Sequence, residues 1–431
     1  MRSKKMGAAT LVALCMTATA ACGGGGGDGG GDGATTSTGP IKIWLSNNED
    51  ELGWGKAMVE AWNAENPDQE ITAQEIPAGK SSEETIAAAI TAGNAPCLVY
   101  NTAPVAVPQF QKQGGLVPLD SFEGGTEYIE ERTGEAAEQY KSADGQYYQM
   151  PWKSNPVMIF YNKDLFKKAG LDPENPPLAT YDEFLATSEK IVSSGAAQAA
   201  IWPSPAGEFF QPWFDFYPLF AAESGGQQLV EDGESQFDSE AGTAAADLWT
   251  QMYERGLSPK EAYNGDSFAD AKAAMAIVGP WAIAVYGEAV NWGAVPVPTS
   301  AGTSAEETYM FSDAKNVAIY SACENQGTAW EVLKFSTSEE QDGALLEQTG
   351  QMPLRQDLPT VYADYFEGNP EYQTFADQAS RTVEVPNVDN SIEIWQTFRN
   401  AWTESVIFGK ADPDAALSDA AEEVNGLASG S

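Results

Sequence analysis

The chain has 431 residues, 11% of them aromatic, with a formal charge of -40 and no histidine. So large a surplus of carboxylates opposes nucleic acid and anionic lipid surfaces as partners. The missing imidazole removes Ser-His-Asp and Cys-His catalysis, His-ligated zinc and histidine pH switching, and no metal or cofactor is expected.

In chain order, Arg2, Lys4 and Lys5 precede a mostly apolar run over residues 7 to about 18, too short for a settled membrane span. Thr19-Ala20-Ala21-Cys22 follows. Small residues before a cysteine fit the bacterial lipoprotein signal, cut before Cys22 once a diacylglycerol is attached to its sulfur. Thr19 stands where that pattern usually has Leu or Val, and an ordinary secretory peptide cut nearby is the competing reading. Residues 1–21 thus read as signal and 22–40 as a tether, glycine from Gly23 to Gly33 except for Asp28 and Asp32. Such a tract forms a flexible coil rather than a core. Loss of three signal cations takes the charge from -40 to about -43. The expectation is a soluble body on the outer face of the cell membrane, held to the lipid bilayer through its N-terminus.

The remaining body, from about Pro40 to Ser431, exceeds a usual single core and predicts two domains. Short apolar strands alternate with longer helical patterns, an α/β signature. Residues 41–45 predict a strand, 52–63 a helix and 70–76 an extended segment. Ser81 and Glu84 are spaced to open a helix running to Ala92, and a strand begins at Cys97. This β-α-β-α-β run predicts a parallel sheet with ligand at the carboxyl ends of its strands. Further on, 147–152, 157–161, 273–280 and 292–298 predict extended chain and 181–256 mostly helix. A strand at 316–321, a helix at 326–336 and an amphipathic helix at 390–408 complete the pattern. With Cys15 in the signal and Cys22 lipidated, Cys97 and Cys323 remain. In an exported protein they read as one disulfide, against two free buried thiols.

Several segments then fall into a known order. They are Ile43-Trp44, Gly115-Leu116-Val117-Pro118-Leu119-Asp120, Asp144-Gly145-Gln146-Tyr147-Tyr148-Gln149-Met150-Pro151, and Phe160-Tyr161-Asn162-Lys163-Asp164-Leu165-Phe166. Met275-Ala276-Ile277-Val278-Gly279-Pro280-Trp281, Val295-Pro296-Val297-Pro298 and Trp395 follow. In these pieces, which span nearly the whole body, the chain resembles the extracellular solute-binding proteins typified by the maltose-binding protein. The resemblance implies a two-lobed periplasmic-binding-protein type II fold, each lobe a mainly parallel sheet flanked by helices. It implies crossings between lobes near 152–157, 296–301 and 335–340. The first lobe would then hold residues 41–153 and 300–335, the second 154–299 and 336–431. Cys97 begins a strand and Cys323 ends one in the first lobe, so antiparallel neighbours would bring them to one edge. The implied function is the substrate-binding component of an ABC sugar importer. A monomer would close on an oligosaccharide by hinge motion and present it to membrane permease subunits.

A pyranose offers apolar faces to aromatic rings and a rim of hydroxyls to polar groups. The resemblance puts Trp281 and Trp395 at stacking positions and Arg399, four residues on along one helix face, at a polar contact. Core packing competes for both tryptophans, and a plain ion pair competes for Arg399. Asn47, Asn48 and Glu49 follow the first strand, where a solvated turn competes. Tyr100, Asn101 and Thr102 end the third strand and point toward the cleft. Asn155 falls at the first crossing. In the aromatic run 209–217, Trp213 and Phe214 are the candidate rings. A glycoside hydrolase with paired carboxylates and a carbohydrate-binding adhesin are the alternatives, and no hydrolase motif is present.

Overall fold

The computed structural model describes residues 34–79, 81–206, 214–287 and 289–429. Cys22 and Trp213 lie outside the described residues. The strands along the chain are β1 (Ile41–Leu45), β2 (Ile71–Glu75), β3 (Leu98–Thr102), β4 (Met150–Lys153), β5 (Met158–Asn162), β6 (Ala199–Ile201), β7 (Val230–Glu231), β8 (Glu234–Ser235), β9 (Ala273–Val278), β10 (Trp292–Val295), β11 (Met310–Phe311), β12 (Lys315–Ile319) and β13 (Thr382–Val383). β7 and β8 form a small hairpin.

The first lobe is built on a sheet in the order β2-β1-β3-β12-β4. β1 lies parallel to β2 and β3, and β12 runs antiparallel to β3 and β4. In β1 the residues Ile41, Ile43 and Leu45 are buried while Lys42 is exposed, the period of two that a pleated strand imposes. Asn48 starts the helix Glu49–Glu65 by accepting from the Asp50 and Glu51 N–H groups, and Ser81 does the same for Ser82–Thr91 through Glu84. Trp54, Tyr100, Trp152, Val317 and Leu345 belong to this lobe's main core.

The second lobe carries the sheet β10-β5-β9-β6. Only β6 and β9 pair in parallel; β5 runs antiparallel to both of its neighbours. The mainly parallel sheet expected here is therefore a mixed one. β5 arrives from the first lobe running opposite to the strands on either side of it. Its core holds Phe160, Phe216, Trp249, Phe398 and Trp402.

The chain first passes between the lobes from β4 to β5. The second passage was expected near 296–301. That stretch instead stays on the second lobe, where Thr299 bridges to Thr180 and Ser300 N–H donates to Glu223. β11 also pairs with β13 before β12 joins the first sheet, so the passage falls at 312–314. The third was expected near 335–340. The helix Glu339–Thr349 remains against the first lobe, with the Gln341 carbonyl accepting from Trp54 Nε1 at 3.1 Å. The passage comes after it, where Ser154 N–H donates to the Met352 carbonyl at 2.9 Å. Arg132, buried, ties these stretches together. It pairs with Asp342 at 2.9 Å and donates to the carbonyls of Pro151, Trp152, Thr337 and Leu354.

Cys97 and Cys323 form a disulfide spanning 226 residues of sequence at one edge of the first sheet. Beside it, residues 37–40 rest on the start of the helix Gln326–Ser336. The Ser37 carbonyl accepts from Gly327 N–H at 2.9 Å, Gly39 N–H donates to Thr328 Oγ1 at 3.0 Å, and Asn325 Nδ2 donates to the Pro40 carbonyl. Gly327 permits this contact, since a Cβ there would lie 2.8 Å from the Ser37 oxygen. Among the described residues no helix is long and apolar enough to cross a membrane.

Candidate ligand cleft

Between the lobes lies a cavity of about 690 Å³. Its first-lobe side is made by Ser82, Glu83, Asn101 and the turn Ala103-Pro104-Val105 at the carboxyl end of β3. Its floor is the crossing Ser312-Asp313-Ala314-Lys315, and its second-lobe side carries Trp202, Phe214, Trp281, Tyr286, Phe311 and Glu384.

The aromatic side follows from local sequence. β9 ends at Val278, and Gly279-Pro280 leads into the short helix Trp281–Tyr286. The indole of Trp281 folds back over Gly279, where a Cβ would fall 1.9 Å from a ring carbon. Only glycine allows that approach. Phe214 lies 6.1 Å from Trp281 and 6.0 Å from Phe311, centroid to centroid. Trp202 is fixed edge-on to Tyr263 at 5.0 Å, with its Nε1 donating to the Glu261 carbonyl at 2.8 Å.

The polar side comes from a strand end and a helix start. Asn101 has φ 66°, a left-handed conformation that asparagine tolerates. Its Nδ2 donates to Ser46 Oγ at 3.1 Å, while its Oδ1 is buried and accepts nothing. Glu83 sits in the first turn of its helix, and its Oε1 accepts from Ala103 N–H at 3.4 Å. Burial raises the Glu83 carboxyl above its ordinary value, against the opposing pull of the Glu83 and Ala103 backbone amides. Lys315 Nζ lies 2.6 Å from Asp313. Burial works against the Lys315 charge, yet Asp313, Glu83 and Glu384 outweigh it and the ammonium is held above its usual value. Burial pushes the Glu384 carboxyl up to about 8, despite bonds from Val385 N–H and the Tyr140 hydroxyl. Among the described residues no cluster of His, Cys, Asp or Glu is placed to hold a metal ion.

The family model described as "Bacterial extracellular solute-binding protein" matches residues 46–343, which includes both walls of the cavity up to Phe311 and Lys315. The chain belongs to this family. The solute-binding protein is 26% identical over 306 residues to the maltodextrin-binding protein of Bacillus subtilis (strain 168), covering 67% of this chain and 68% of that one. It is 24% identical over 401 residues to the diacetylchitobiose binding protein of Streptomyces coelicolor, covering 87% of each. Its fold matches the crystal structure of the cyclic alpha-maltosyl-1,6-maltose binding protein from Arthrobacter globiformis, with a TM-score of 0.77 and 21% identity over 91% of this chain and 100% of that one.

Of the residues picked out from sequence, the solute-binding protein brings Asn101, Phe214 and Trp281 together around the cavity. The other ligand candidates among the described residues lie elsewhere, each for a visible reason. Trp395 is 1% exposed and packs edge-on against Tyr217 at 5.4 Å, within the second-lobe core. Arg399 shares its inward helix face and is also buried. Its Nη1 reaches both Asp215 carboxylate oxygens at 2.8 Å, and its Nε and Nη2 donate to the carbonyls of Ala206 and Ser204. Arg399 therefore braces the segments bearing Trp202 and Phe214 from behind, without facing the cavity. Trp402 Nε1 adds a bond to Asp215 at 2.9 Å.

Asn47, Asn48 and Glu49 are exposed at the start of their helix, and Asn48 is its cap. Tyr100 is fully buried between Trp54 and Trp152, its hydroxyl donating to Ser336 Oγ at 2.8 Å. Thr102 is buried as well, opposite Asn316 at the register shift between β3 and β12. Asn155 is buried at the junction of the three crossings. It accepts from Met352 N–H at 3.1 Å and donates to Gln351 at 3.2 Å, and its carbonyl accepts from Asp313 N–H. Sequence reasoning overlooked Glu83, Asp313, Lys315, Glu384 and Trp202 as cavity residues. Glu83 stood inside the helix-start signal and was read only as part of it.

Proposed function

We propose that this solute-binding protein is the substrate-binding component of an ABC sugar importer and that it captures an oligosaccharide between its lobes. The observation that carries this reading is the two-sided cavity. Half-buried rings at Phe214 and Trp281 stand on one lobe, and directional groups at Glu83, Asn101 and Lys315 stand across from them. Flat rings suit the CH faces of pyranoses, and amide and charged groups suit their hydroxyls. Maltodextrin and diacetylchitobiose, named for two relatives, support a saccharide of at least two units. Because the ligand touches both walls only when they are close, its differential affinity drives closure. Delivery to permease subunits needs no covalent change in the cargo, so the protein acts as a monomeric receptor and not an enzyme. Lipidation of Cys22 would hold it at the outer face of the membrane.

Calorimetry against a panel of α- and β-linked oligosaccharides, paired with small-angle scattering, tests the proposal. Binding of one series with compaction on loading, and recovery of the sugar intact after long incubation, is the expected result. Cleavage of the sugar, or binding of none, would overturn it. Mass analysis of the mature N-terminal peptide checks the acyl group on Cys22.

A further inference from the structure

Among the described residues, the cavity is lined by four carboxyl groups, Glu83, Asp266, Asp313 and Glu384, and one ammonium, Lys315. Their partners differ. Asp313 and Lys315 satisfy each other at 2.6 Å, and Lys315 also donates to the Ala314 carbonyl. Asp266 accepts from the Phe268 and Ala269 N–H groups at 2.9 Å. Glu384 accepts from the Tyr140 hydroxyl and from Val385 N–H. Glu83 is the exception. It is 9% exposed, its carboxyl is held by its own backbone amide and by a long bond of 3.4 Å from Ala103, and it feels Lys315 only at a distance, with no lysine or arginine among the described residues within ion-pair distance. That bond sets the carboxyl beside the end of β3, two residues from Asn101, whose Oδ1 is buried without a donor. The Glu83 carboxyl is thus the most weakly held of the four.

We propose that the cleft takes an amine-bearing saccharide in preference to its neutral counterpart, with Glu83 as the residue that reads the ammonium. The inference rests on the saccharide reading above. An ammonium is a donor-only group with three N–H bonds to give, which complements a weakly held carboxylate. A buried charge gains most from a partner that enters with the opposite charge. The acidic chain, at -40, adds a long-range field that draws cations toward the mouth and repels anions. Phosphorylated and uronic saccharides are disfavoured by the same charges.

The test uses the full chain and calorimetry at about pH 6 in low and moderate salt. The probes are a β-linked glucosamine disaccharide, its di-N-acetyl form and cellobiose, and in the α-linked series maltose and its amino-sugar analogue. In the series that binds, the amine form should be tighter by about tenfold or more, the scale of one hydrogen bond to a charged group. N-acetylation should abolish the advantage. Glu83→Gln should erase the preference, so that within this variant the amine form and its neutral counterpart bind alike. Neutral and amine forms binding alike, or an amine preference that survives Glu83→Gln, would overturn the inference and leave the importer reading intact. Binding of no saccharide in either series would overturn both.

Discussion

The two walls of the cleft are made differently and should fail differently. The second-lobe wall presents rings, and it is braced from behind by a buried ion pair, Arg399 with Asp215, that never meets the cavity. The first-lobe wall presents short polar groups set by a strand end and a helix start, with their own bonds incomplete. Ring contacts tolerate small shifts, whereas hydrogen bonds demand angle and distance. Damage behind the aromatic wall should therefore appear as lost stability, and damage on either surface as lost affinity.

The largest effect expected is from Arg399→Ala. It leaves Asp215 buried without its partner and should cost about 3–5 kcal/mol in urea unfolding. A loss below about 1 kcal/mol would show that the brace is dispensable. Trp395→Ala should cost a similar amount, roughly 3–5 kcal/mol, by emptying core volume. Should its only effect be on sugar affinity, the placement of Trp395 behind the wall is wrong.

Next comes pH. The Glu384 carboxyl has a folded value near 8, above the ordinary 4.5. The folded state therefore binds its proton more tightly than the unfolded chain. The stability this lends is full below about pH 4.5 and drains away as pH climbs through about 8. Glu384→Gln should remove most of the wild-type decline across that window. Parallel stability profiles for the two proteins would refute it. Trp281→Ala should then lower saccharide affinity by about 1–3 kcal/mol with a nearly unchanged unfolding midpoint. The reverse pattern would move Trp281 into the same class as Trp395. Smallest of all, Asn48→Ala should cost about 1 kcal/mol through its helix cap, and a loss of ligand binding there would restore Asn48 to the cleft.

Local features were legible in the sequence. The helix start at Ser81 and the alternation in β1 depend on neighbours a few residues away. Trp281 was legible through the resemblance, in which the stacking ring follows Gly279-Pro280. The other readings required knowledge of what lies opposite. Helical spacing put Trp395 and Arg399 on one face, but nothing in that spacing says that the face meets Tyr217 and Asp215 rather than a cleft. Glu83 and Lys315 sit far apart in the chain and become cavity neighbours only when β12 joins β3. The second and third crossings were misjudged because β11 and β13 are two-residue strands, too short to show a period.

The seating of residues 37–40 on Gly327 and Thr328 has a directional consequence. It fixes where the body is entered, at the rim where β1 begins and Cys97 meets Cys323, while the cavity opens where β3 ends. Any leash upstream therefore pulls at the base of the receptor, and a bilayer at the far end of that leash would leave the mouth turned outward, toward incoming solute.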